Sequence, residues 1–232
     1  MTDKLRALIV QHEQPTPGGY VHQWLEERDA DQDIYRIDIE SRKVDPREYD
    51  MIVSLGSEFA AFDDKIPWLG TEKELMLEAA EADVPVLGIC FGGQLLARVL
   101  GGKSFRSEIA EIGWLPVRSD EPALVSDGPW FQWHFDSFTV PPEARLIADS
   151  PAGPQAFRVG RSMGVQFHPE VTPQIMDAWV EVYRHELDQE GVDPDRLLAE
   201  TYERAHDTRA AAWRLFDGFL ARAGKTEAVR GR

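Results

Sequence analysis

The chain of 232 residues has one cysteine, Cys90, so no disulfide can form within it and no thiolate-based zinc cluster can assemble. Basic side chains are scarce too. Against 41 Asp and Glu stand 25 Lys and Arg, a formal charge of −16 that repels phosphate backbones and anionic headgroups. Neither nucleic acid nor a membrane surface is an expected partner. Long apolar runs are missing, and residues 7–10 (ALIV) are too short for a signal-peptide core or a membrane span. The cytoplasm is therefore the expected compartment. The patterns H-E-x-x-H, G-x-x-x-x-G-K-S/T and G-x-G-x-x-G do not occur, so a mechanism without metal or cofactor is expected.

What is present alternates in period. Residues 5–10 (LRALIV) read as a buried strand, followed by a Pro/Gly-bearing loop and a helix over about 19–28. Ile34, Tyr35, Ile37 and Ile39 suit a second strand, and residues 51–55 (MIVSL) a third. Thr71 with Glu74 has the form of a capping box, opening a helix to about residue 82 with Leu75, Met76, Ala79 and Ala80 on its apolar face. Residues 84–89 (VPVLGI) are apolar throughout, as in a central strand covered on both sides, and an apolar helical pattern resumes over 94–100. Strands alternating with helices imply a parallel sheet. From about 109 to 166 short β-type runs separated by Gly, Pro and Asp imply antiparallel or mixed strands. Two helices, roughly 173–189 and 194–221, follow, with Trp213, Phe216 and Leu220 on one buried face and residues 222–232 as a tail. One domain over 1–232 accounts for this length.

Between the fourth strand and its helix stands Gly88-Ile89-Cys90-Phe91-Gly92, the G-x-nucleophile-x-G form of a nucleophile elbow. Small residues two before and two after the nucleophile let strand and helix approach closely around a sharp turn. A cysteine there meets the helix N-terminus, whose N–H groups and dipole favour a thiolate and can hold a developing oxyanion. A lone cysteine reads more simply as a small buried hydrophobe; the flanking glycines at this junction reverse that. Downstream, Pro169 biases His168 toward extended backbone, so His168 and Glu170 can share one side of the chain. Glu170 would then orient the imidazole while its other nitrogen takes the thiol proton. His12, at the end of the first strand, faces the sheet edge where α/β ligand sites form but reads better as a solvated loop histidine, and His22, His185 and His206 read as helix-surface residues.

GICFGGQ at 88–94 and GVQFHPE at 164–170, in the order Cys…His…Glu, resemble the two signatures of class I glutamine amidotransferases. The resemblance spans nearly the whole chain and implies an α/β fold: a flavodoxin-like, mainly parallel sheet with helices on both faces, added antiparallel strands and C-terminal helices. It also implies that Cys90 attacks a glutamine side-chain amide with Ser57 and Phe91 at the oxyanion hole. The loop after the third strand resembles the family's oxyanion loop, often Gly-Gly-Pro, but reads Leu55-Gly56-Ser57. Ser57 keeps a donor; the stiffening proline is missing. By the same resemblance Gln94 matches C-x-G-x-Q and contacts the substrate, as does Gly56, and residues 133–138 (WHFDSF) bring His134, Phe135 and Asp136 to the glutamine pocket. Trp130, Phe131, Trp133, Phe135 and Phe138 read equally well as packing residues. The implied partners are glutamine or another γ-glutamyl compound, and a separate synthase subunit to accept ammonia. A γ-glutamyl hydrolase or peptidase, or a binding subunit without catalysis, would also fit these residues.

Overall fold

The computed structural model describes residues 4–224. In chain order, β1 (Arg6–Gln11), α1 (Tyr20–Glu26), β2 (Asp31–Arg36), β3 (Met51–Ser54), α2 (Leu69–Glu81), β4 (Val86–Ile89) and α3 (Phe91–Val99) form the first half. The second half comprises β5 (Ser104–Leu115), β6 (Arg118–Ser119), β7 (Trp130–Phe138), β8 (Arg145–Ser150), β9 (Gly153–Val159), β10 (Ser162–Val165), α4 (Pro173–Val182), α5 (Arg184–Glu190) and α6 (Pro194–Arg222).

Eight strands make one sheet in the order β2-β1-β3-β4-β10-β9-β8-β6. The first five are mutually parallel, with Ile9 opposite Ile34 and Val53, and Gly88 opposite Gly164; the remaining three continue antiparallel. The reason is legible in β1. Ala7 and Ile9 point to the face covered by α1 and α6, Leu8 and Val10 to the face covered by α2 and α3, and all four are fully buried. Apolar residues at both phases of a period-2 strand demand helices on both sides. This is the flavodoxin-like arrangement, whose ligand crevice opens at the carboxyl ends of the strands.

The β5–β7 ribbon stands apart from the main sheet, broken by an irregularity between Arg106 and Glu111. Its Trp114, Phe131 and Trp133 pack with Met176 and Trp179 of α4 and Leu187 of α5 in a third apolar cluster. The ribbon thus lies over the sheet end where β4 and β10 finish.

Four local expectations fail. Helix α2 begins at Leu69 after an N-cap at Trp68, so Thr71 lies inside it and caps nothing, and Ala80 is exposed. The buried stripe runs Leu69, Glu72, Leu75, Met76, Ala79, and burying Leu69 sets the earlier start. Strand β2 is an edge that stops at Arg36, where turn bonds from Ile39 and Glu40 close on the Arg36 carbonyl; Ile39 is left 73% exposed. The helix expected over 173–189 is two helices meeting at Tyr183, whose ring packs on Trp133. The fourth concerns His12 and is taken up below. Of the tail expected over 222–232, Arg222 still belongs to α6 and Ala223 is fully buried, and residues 225–232 lie outside the described residues.

Candidate active site

Cys90 is the N-cap of α3, with φ 51° and ψ −108°, a conformation that L-residues rarely adopt. Two glycines make that turn possible. A Cβ on Gly88 would stand 2.4 Å from the Gly92 carbonyl oxygen, and one on Gly92 would stand 2.3 Å from that of Ser54. The Cys90 amide donates to the Val165 carbonyl at 2.8 Å, tying the elbow to β10. The thiol, 6% exposed as a residue, has the Trp133 carbonyl 3.9 Å and the Gln166 amide nitrogen 3.6 Å from Sγ.

His168 and Glu170 follow β10, the parallel neighbour of β4, and so arrive beside the elbow. The His168 amide donates to Phe131 at 2.8 Å, and its ring meets Trp179 edge-on at 5.0 Å. Nδ1 lies 2.7 Å from Glu170 Oε1. A carboxylate only accepts, so the proton on this side sits on Nδ1, and Nε2 is the nitrogen left for the thiol. Nε2 is buried with no hydrogen-bond partner among the described residues. Burial opposes a charge on the ring, but the Glu170 carboxylate and then Cys90 outweigh it and push the His168 pKa up to about 10.

The loop after β3 closes the third side. The Leu55 carbonyl accepts from the Gly92 amide at 3.1 Å, which commits that amide and leaves Phe91's as the first of α3. A Cβ built on Gly56 would lie 3.0 Å from the His168 ring and 3.8 Å from the Cys90 Cβ, so the loop passes directly over the thiol and the imidazole. Ser57 donates its hydroxyl to Glu13 at 2.6 Å and accepts from the Phe59 amide.

A pocket of about 670 Å³, open to solvent, is lined by Cys90, Gly56, Ser57, Phe91 and His168, and also by every residue expected to meet substrate. Gln94 is not a surface glutamine. It is 3% exposed and donates to the Asp136 carbonyl and to Gln166, both at 3.2 Å. Both ring nitrogens of His134 are already engaged, with the Asp136 carbonyl and with Glu111 Oε2 at 3.0 Å each, so its contribution to the pocket is ring surface. Phe135 is half-buried under the Arg106 guanidinium, 4.8 Å from its ring, and Arg106 also pairs with Asp136 at 3.3 Å. Trp130, Phe131, Trp133 and Phe138 are buried, as packing residues are.

His12 was expected in solvent and is 0% exposed. Its Nδ1 lies 3.0 Å from the Gly56 carbonyl and its Nε2 2.9 Å from Glu72 Oε2, while Ser54 donates to Glu72 Oε1 at 2.7 Å. Strand β1 ends under the loop rather than at the surface, which buries the residue after it. A signal existed: Glu72 falls at i, with Leu75, Met76 and Ala79 at i+3, i+4 and i+7, a carboxylate on an apolar stripe. Arg106, Trp179, Tyr183 and Glu186 also line the pocket and were not anticipated. Among the described residues no cluster of His, Cys, Asp and Glu is arranged to hold a metal.

A model of the family described as glutamine amidotransferase class-I matches residues 20–181, which include the elbow, His168 and Glu170. The chain belongs to that family. A solved glutamine amidotransferase from Thermotoga maritima is similar over 94% of this chain and 99% of its own, with 30% identity and a TM-score of 0.87. One from Methylobacillus flagellatus covers 95% and 96%, at 26% identity and the same score. Among curated proteins, a glutamine-hydrolysing GMP synthase of Parafrankia sp. is 44% identical over 115 residues, 46% of this amidotransferase chain and 21% of the relative. The Thermus thermophilus enzyme of that name is 38% identical over 144 residues, 54% and 28% of the two chains. This amidotransferase chain thus spans about a quarter of the length of the curated relatives it matches.

Proposed function

We propose that this class I amidotransferase hydrolyses the side-chain amide of glutamine through a thioester on Cys90. The observation that carries the reading is the strained elbow that sets the thiol beside a histidine held by Glu170 through Nδ1. Cys90 Sγ adds to the amide carbon, and the carbonyl oxygen takes the charge facing the amides of Phe91 and Ser57, with the Gly56 amide beside them. As the C–N bond breaks, His168 Nε2 gives its proton to the departing nitrogen and ammonia leaves. His168 then removes a proton from water as its oxygen attacks the thioester, the C–S bond breaks, and glutamate departs. Gly56, Gln94, the His134 ring face and Phe135 hold the substrate amino acid. The His168 pKa near 10 supplies the proton at neutral pH. We place the reaction in the cytoplasm, where one thiol stays reduced.

The matching relatives carry the name glutamine-hydrolysing GMP synthase, and in this reading ammonia passes to a synthase partner. A second reading has its own support. Past His168 and Trp179 the pocket continues to Tyr183, whose buried hydroxyl has no hydrogen-bond partner among the described residues, and to Glu186. That space suits the amine substituent of a γ-glutamyl amide or peptide. Treatment with a glutamine-mimicking electrophile, read by mass spectrometry of the digested protein, should yield one adduct, on Cys90. No adduct there would overturn the thioester mechanism.

A further inference from the structure

We propose that His12 and Glu72 are positioning residues that hold the oxyanion loop in its working conformation. The inference rests on the reading of the loop amides at Gly56 and Ser57 as oxyanion donors. It addresses what stiffens this loop, since Leu55-Gly56-Ser57 has no proline to fix a dihedral.

The orientation follows from one peptide plane. Among the described residues the only cis bond is Gly128–Pro129, so the peptide joining Gly56 to Ser57 is trans, and its carbonyl and N–H point in opposite directions. The carbonyl accepts a hydrogen bond from His12 Nδ1 at 3.0 Å. Gly56 and Ser57 line the pocket and His12 does not. With the carbonyl drawn to His12, which lies outside the pocket lining, the peptide plane that follows Gly56 is fixed. The preceding peptide is fixed too, because the Leu55 carbonyl is held by the Gly92 amide. Both peptide planes around Gly56 are therefore set, one by the elbow and one by His12.

His12 is in turn fixed on every side. Its ring stacks on Trp68 at 4.9 Å and meets Phe91 edge-on at 4.7 Å, so it touches the residue that carries the other oxyanion donor. Nε2 is engaged by Glu72, and the second Glu72 oxygen is engaged by Ser54, two residues before Gly56. Burial disfavours a charge on His12, while Glu72 raises the His12 pKa. A carbonyl and a carboxylate only accept, so both ring nitrogens act as donors in this arrangement. A fully buried ionic pair is costly unless each oxygen and N–H is satisfied, and here all of them are. Neither side chain reaches the pocket, so neither is a catalytic residue.

Two substitutions separate positioning from a merely structural role. In His12→Asn the side-chain amide nitrogen occupies the place of Nδ1 and can still donate to Gly56; in His12→Gln it occupies the place of Nε2 and reaches Glu72 instead. Loss of one oxyanion donor costs about 10²–10³ in kcat, so His12→Gln should lose about a hundredfold and His12→Asn about tenfold, each with KM within about threefold of the parent. Alkylation of Cys90 by a neutral haloacetamide needs no oxyanion hole, and its rate should be unchanged in both. Should either variant fail to fold, Glu72→Gln preserves shape and hydrogen bonding while weakening the hold on His12, and a kcat lower by about tenfold is expected. Equal losses in the two His12 variants, the reverse order, a parallel fall in Cys90 alkylation, or an unchanged kcat in Glu72→Gln would each overturn the proposal. A parent protein that releases no ammonia from glutamine or γ-glutamyl amides would instead refute the proposed function.

Discussion

At the scale of single residues, the groups that the fold brings together at the candidate site were readable because each announces itself locally. Cys90 is flanked by the glycines its turn requires, and Pro169 places His168 and Glu170 on one side of an extended chain. His12 was readable only through its partner, because its burial depends on Glu72, sixty residues away on the apolar stripe of α2, and on a loop that no periodicity describes. The His168–Glu170 pair carries a pH signature. Its folded pKa near 10 exceeds the ordinary histidine value of about 6.5, so the folded state holds an extra proton between the two. The stabilisation is therefore complete below about pH 6.5 and disappears as pH rises through about 10. Glu170→Gln should lower kcat by about 10²-fold. The melting temperature of the parent should exceed that of the variant most near pH 6.5, with the gap closing toward pH 10. A gap that widens with pH would contradict the assignment.

At the scale of elements, the β-α alternation of the first half was legible because both phases of β1, β3 and β4 are apolar and the intervening helices carry apolar stripes. Boundaries were less so. The Thr71–Glu74 pattern imitates a cap, and only the burial of Leu69 reveals that α2 starts earlier. Nothing in the sequence near Tyr183 breaks a helix as Gly or Pro would, so the α4–α5 joint comes from packing of that ring on Trp133. The elbow is the element with the least tolerance. Gly92→Ala would drive a methyl into the Ser54 backbone, at a cost of about 1–3 kcal/mol. Urea denaturation should show an unfolding free energy lowered by that amount, read as a lower transition midpoint at unchanged slope; an unshifted midpoint would mean that strand and helix do not approach as closely as described.

At the scale of the whole molecule, a parallel sheet supplies four strand ends to one site: His12 after β1, Gly56 and Ser57 after β3, Cys90 after β4, and His168 with Glu170 after β10. The β5–β7 ribbon and α4 wall the pocket from the side, and it is this wall, with Trp133, Trp179 and Tyr183, that pattern reading foresaw least. Long-range packing of a detached ribbon leaves no local trace beyond alternating aromatics. Among the described residues no helix is long and apolar enough to cross a membrane. The most direct test of the central claim is to incubate the purified chain alone with glutamine and with γ-glutamyl amides, measuring glutamate and released amine or ammonia together. The account predicts equimolar release by the parent and none by Cys90→Ala. Release retained in Cys90→Ala would contradict it.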